Sequence, residues 1–161
     1  MASYSQKCKT EADPITGVKT STFKNKSQTL KYIYKGGENI EFYTTFNYLG
    51  EQNSKFPVGS EVIIKLKDGT ILNLHSVKEA MPQTKVVANQ YSASVYSLYT
   101  FAFSLDREQI NLLSNSKVSF VRYPAIDGGY TDIDIKGFGK IYAKKITKGA
   151  KCMLENLDPE K

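Results

Sequence analysis

Between Leu98 and Tyr123 the chain reads LYTFAFSLDREQINLLSNSKVSFVRY, a strand, a capped helix and a second strand in close succession. No other stretch restricts the fold as much. Leu98 to Phe103 is apolar or aromatic on both alternating faces, the pattern of a central strand covered on both sides. Asp106 and Gln109 stand three residues apart at the start of a helix. There they can form a capping box, in which the carboxylate accepts from a free backbone N–H and the amide side chain reaches back. Ile110 and Leu113 give this helix, about 106–114, an apolar stripe with Leu112 beside it. Val118, Phe120 and Val121 resume a strand. A connection of about a dozen residues fits a parallel crossover or an antiparallel return, and both stand.

The segments before this stretch read as strands joined by turns. Asp13-Pro14-Ile15-Thr16-Gly17 has turn chemistry, a strand follows over 18–23, and residues 1–16 are expected to be loosely attached. Gly36-Gly37 separates two strand patterns and predicts a two-residue hairpin. That register leaves Tyr32, Tyr34, Glu41 and Tyr43 on one face. The three tyrosines are a candidate face for a protein or glycan ligand, or a half-buried sheet surface. Lys67-Asp68-Gly69 joins another strand pair. A three-residue loop with Gly69 left-handed pairs Ile64 with Leu72 and Val62 with Leu74, which keeps one apolar face intact. Residues 78–94 read as a long connection with a short strand at 85–88.

After Asp127-Gly128-Gly129, Thr131, Ile133 and Ile135 alternate with Asp132 and Asp134. Asp127, Asp132 and Asp134 lack the spacing of a calcium loop, and a turn with a solvated strand is expected. From Phe138 the period becomes helical. Phe138, Ile141, Tyr142, Ile146, Gly149, Cys152 and Met153 mark an apolar stripe over about 138–154. Lys140, Lys144, Lys148 and Lys151 line the opposite face, a candidate polyanion surface or the solvated side of an amphipathic helix.

The expected architecture is one α+β domain over 1–161, a mostly antiparallel sheet or sandwich-like core with a short helix and a C-terminal helix. Its 161 residues can bury a core of that kind. The net charge is +6, yet Arg107 and Arg122 are the only arginines. Lysine lacks the planar fork that reads phosphates and guanine, so the charge argues against sequence-specific nucleic-acid recognition. His75 is the only histidine and alternation turns it away from the core. No nucleophile motif, phosphate loop or metal cluster is present, so no catalytic, cofactor or metal residues are assigned. No apolar run reaches the ~20 residues of a membrane span.

Cys8 and Cys152, near opposite ends, either form one disulfide or remain separate thiols. The start MASYSQKCKTE is not a signal peptide as it stands. Either the protein stays in the cytoplasm, or a leader is removed and Met-Ala-Ser is not the native beginning.

The last third, YSLYTFAFSLDREQINLLSNSKVSFVRYPAIDGGYTDIDIKGFGKIYAKKI, resembles small proteins of Bacteroidetes bacteria. Their shared pattern is a strand, a helix with an E-Q-x-x-x-L core, an arginine-bearing strand, a D-G-Y turn and a lysine-rich final helix. It is matched here by Glu108, Gln109, Leu113, Arg122, Asp127, Gly128 and Tyr130, with Gly129 as an added glycine. The VIIKLKDGTILNL hairpin and the DPITG turn are similar too. The resemblance implies a common fold and export from the cytoplasm, and carries no activity or functional residues with it.

Three functions are then open. A non-enzymatic binding protein of the cell envelope fits the many tyrosines and the missing reactive motifs. A nucleic-acid or polyanion binder would use the lysine row and stack bases on aromatic strands. An enzyme would need Asp, Glu, Lys or Tyr to meet in a cleft.

Overall fold

The computed structural model describes residues 8–133, 135 and 138–157. Two antiparallel sheets form an α+β half-barrel closed by two helices. The larger sheet contains β1 (Lys9–Ala12), β2 (Lys19–Lys24), β3 (Leu30–Tyr34), β4 (Ile40–Leu49), β7 (Gln83–Ala88) and β8 (Ala93–Leu105), in the order β1-β2-β3-β4-β8-β7. The smaller contains β5 (Glu61–Leu66), β6 (Ile71–His75), β9 (Val118–Pro124) and β10 (Tyr130–Ile133), in the order β10-β9-β5-β6. Helix α1 (Arg107–Asn115) carries the chain from one sheet to the other, and α2 (Phe138–Asn156) packs on α1, β2, β3 and β9. Because β8 and β9 lie in different sheets, they do not pair with each other in either direction.

The capping box forms as expected. Asp106 Oδ1 accepts from Gln109 N at 2.8 Å, and Asp106 N donates to Gln109 Oε1 at 3.0 Å. The β5–β6 register also follows the sequence, with Ile64 opposite Leu72, Val62 opposite Leu74 and Gly69 at φ 93°. On β9, the register slips between Lys65 and Leu66, so that Val118 and Val121 both face the core although three residues apart.

The β3–β4 hairpin differs from expectation. Tyr32 pairs with Phe42 and Ile33 with Glu41, one residue off the two-residue-loop register. A longer loop, 35–39, lies between the strands. Since side chains alternate with period two, the slip exchanges faces. Tyr32 and Tyr34 are buried beside Ile40 and Phe42, and Tyr43 lies on the opposite face. Strand β8 is also covered differently. Tyr99, Phe101, Phe103 and Leu105 are buried, but Thr100 and Ser104 on the other face are exposed. Of residues 1–16, Lys9–Ala12 pairs with β2 along an exposed edge, and Cys8 is disulfide-bonded to Cys152, with Cα atoms 5.6 Å apart.

Aromatic rings dominate the core. Tyr32 stacks on Phe42 with centroids 4.7 Å apart, Phe46 on Tyr123 at 4.6 Å, and Phe56 meets Tyr99 edge-on at 4.9 Å. A buried phenol needs a hydrogen-bond partner. Tyr32 donates to the helix carbonyl of Ile146 at 2.9 Å. Tyr48 donates to Pro124 O and Tyr99 to Ser54 O. The hydroxyls of Thr44, Tyr123 and Tyr142 close a triangle linking β4, β9 and α2, with Tyr123 and Tyr142 2.7 Å apart. Burial holds the Tyr32 and Tyr123 phenols well above the ordinary value, and also raises Tyr48 and Tyr142.

Helix α2 buries Ala143, Ile146, Ala150 and Met153, and Leu157 just beyond its end is buried too. Ile141, expected in that stripe, is 54% exposed: five residues before Ile146, it stands about 140° round the helix from it, whereas Ala143 and Ala150 lie on the buried face. The Phe138 side chain lies outside the described residues. Gly149 sits where the approach is tightest. An added Cβ would fall 2.5 Å from Tyr32 Cδ2 and 2.7 Å from Phe23 Cδ1. In an open helix, glycine to alanine stabilises by up to about 1 kcal/mol, whereas forcing a methyl into a packed core costs about 1–3 kcal/mol. Gly149→Ala is therefore expected to lower stability by about 1–2 kcal/mol, read from urea unfolding. A gain in stability would show that the interface has room.

Candidate functional site

The outer face of the smaller sheet brings together residues from all its strands. The registers align Asn73, Ile63, Arg122 and Asp132 in one row across β6, β5, β9 and β10. Ile71, Lys65 and Phe120 form the next row. Their inward neighbours, among them Val62, Ile64, Leu72 and Val121, are core residues, so the pleat leaves this set outside.

Arg122 is at the centre. Its Nε donates to Asp132 Oδ1 at 2.7 Å and its Nη2 to Oδ2 at 3.2 Å, a two-pronged pair. The hydrogen bond to Asp132 raises the guanidinium pKa further. The guanidinium carbon lies 5.2 Å from the Phe120 ring centre and 5.3 Å from that of Tyr130. Cation and rings thus hold one another in place. Ile71 and Tyr130 remain 56% and 60% exposed. A shallow groove of 720 Å³ runs over Ile63, Lys65, Ile71, Asn73, Phe120 and Arg122. A separate recess of 360 Å³ lies between 54–57 and 124–130, with Tyr130 in its lining. On the rim, Glu61 accepts from Asn73 Nδ2 at 3.1 Å and lies 3.3 Å from His75 Nε2.

The residues singled out in the sequence are distributed otherwise. Tyr32 and Tyr34 are in the core. Tyr43 stands apart on the outer face of the larger sheet, donating to Glu41 Oε1 at 2.9 Å, with Lys31 Nζ 5.0 Å from its ring centre. Lys140, Lys144 and Lys151 are exposed and Lys148 is half-buried, on the side of α2 away from its packed residues. Asp127 accepts from Gly129 N at 3.2 Å and Asp132 belongs to Arg122; Asp134 lies outside the described residues. Among the described residues, no three His, Cys, Asp or Glu side chains gather as metal ligands, and no helix is long and apolar enough to cross a membrane.

The Arg122 face was missed in the sequence although a signal was there. A hairpin closed by Asp127-Gly128-Gly129 brings Arg122 opposite Asp132. An alternating Phe-Val-Arg-Tyr then places Phe120 and Arg122 together outside. Comparison with known proteins finds no family model, curated protein or solved structure that matches this chain.

Proposed function

We propose that this chain is a non-enzymatic binding protein of the bacterial cell envelope, and that a protein partner docks on the outer face of the smaller sheet. The observation that carries this reading is Arg122, clamped by Asp132 and flanked by Phe120 and Tyr130 beside exposed Ile71. A guanidinium already paired and stacked loses little freedom on binding, and pre-ordered aromatic and arginine groups contribute most at interfaces. The branched side chains of Ile63 and Ile71 favour a protein over a glycan. Stacking a sugar needs an open ring face, and here the guanidinium lies against both rings. The Cys8–Cys152 bond supports placement in an oxidising compartment.

The test is affinity capture from envelope extracts with the wild type, Ile71→Asp, Tyr130→Ala and the double variant Lys144→Glu/Lys151→Glu. All four positions are exposed, so folding should survive, which circular dichroism checks. A partner held by wild type and the lysine variant, but weakened at least about tenfold by Ile71→Asp and Tyr130→Ala, is expected. Equal capture by every form would remove the proposal.

A second reading uses the lysines that share one side of α2. Binding of single-stranded DNA that falls steeply with salt and is lost in the lysine variant alone would favour that reading instead.

A further inference from the structure

We infer that β7 is a self-association edge, pairing antiparallel with β7 of a second copy about a two-fold axis through Val86. All residues of β7 are exposed, and its far side has no neighbouring strand among the described residues. An open edge is a template for pairing, and proteins usually protect it with charges, proline or a bulge. This one has little protection. Residues 83–98, the whole β7–β8 hairpin, carry one charge, Lys85, in a chain that is 24% charged. Pro82 lies before the strand, and the β7–β8 register runs from Gln83 to Ala88 without a slip.

The occupant follows from the strand's own pattern. Val86 pairs with Val95, so Thr84, Val86, Ala88 and Val95 share the face that continues into buried Tyr99 and Phe101. That face has no charge, and Val86 is 60% exposed. Placing Val86 opposite Val86 of the second copy sets Thr84 against Ala88 and Lys85 against Val87. It keeps the inner faces of both sheets on one side, with the valines in a continuous stripe. Shifting by two residues would oppose Lys85 to Lys85, and like charges directly opposite are unfavourable. Two six-stranded sheets would become one. The lysines of α2 would not oppose it, because α2 packs on β2 and β3, at the other end of the strand order.

Sedimentation velocity over about a hundredfold range of concentration tests this, since self-association follows mass action. Wild type should pass from monomer to dimer. Val86→Lys and Val86→Glu should each weaken association at least about tenfold, and an equimolar mixture should restore it, because Lys then faces Glu. Ile71→Asp should leave the dimer intact, which separates this result from that of the Arg122 face. A wild type that stays monomeric, or a dimer indifferent to both Val86 variants, would overturn the inference. A mixture that fails to re-form the dimer would overturn the Val86-centred register.

Discussion

Above pH 10 this protein is expected to lose stability steeply and unfold within about one to three pH units. The phenols of Tyr32, Tyr48, Tyr123 and Tyr142 are all held above their ordinary value of 10.0, chiefly by burial. In the unfolded chain they ionise near pH 10, so there the unfolded state binds fewer protons and stability falls with rising pH. Their contribution is fully present below pH 10 and is lost as the pH climbs towards the folded values. Each such group costs about 1.4 kcal/mol per pH unit, so four together cost roughly 5 kcal/mol per unit. A domain with about 5–15 kcal/mol in hand cannot withstand that for long. Far-ultraviolet circular dichroism should change in one cooperative step, and the share of tyrosinate absorbance that belongs to these four buried phenols should appear with it. Tyr32→Phe should reduce the slope of stability against pH by about a quarter. If all eleven tyrosines ionise while the dichroism stays native, the four phenols are not sealed in the core.

Replacing both cysteines by serine is expected to cost about 3–5 kcal/mol. The bond closes 144 residues of sequence separation, and constraining so long a loop in the unfolded chain is worth about 5 kcal/mol in the entropic account. Because that effect acts on the unfolded state, the urea midpoint should fall and the slope of the transition should rise as the chain expands. A narrower outcome is distinguishable. Strand β1 is exposed throughout and is otherwise held by its pairing with β2 and by Thr10, which bonds Ser21 and Asn156. If the bond only fastens this strand, the midpoint will stay put and amide exchange will rise at residues 9–12 alone.

What could be read beforehand divides by the range of the interactions involved. The capping box depends on Asp106 and Gln109 alone, so four residues of sequence contain it. The β5–β6 register was legible because, of a two-residue and a three-residue loop at Lys67-Asp68-Gly69, only the longer keeps Val62, Ile64, Leu72 and Leu74 on the same side. The β3–β4 register was not. Tyr32 and Tyr34 alternate with Lys31 and Ile33, and either set can face a core. The choice is made by α2, over a hundred residues away, whose Ile146 carbonyl receives the Tyr32 hydroxyl. Likewise Ile141 outranks Ala143 in any count of apolar residues. Yet Ile141 stands about 140° round the helix from Ile146, while Ala143 lies on the buried face. The Arg122 face required pairing β9 with both β5 and β10, and only the second partner lies nearby in sequence.

The central pairing also governs how the chain can acquire its shape during synthesis. Strand β4 lies against β8 from Ile40–Leu105 to Leu49–Tyr96, and β5 against β9. The first hairpins, β2-β3-β4 and β5-β6, can close early, but each ends in an aromatic or aliphatic flank whose neighbour is not yet made. Completion waits for residue 105 in one sheet and 133 in the other, and for α2 to seal both. Such late, distant closure makes folding slow. It leaves β4 and β5 open to other strands while the ribosome is still at work.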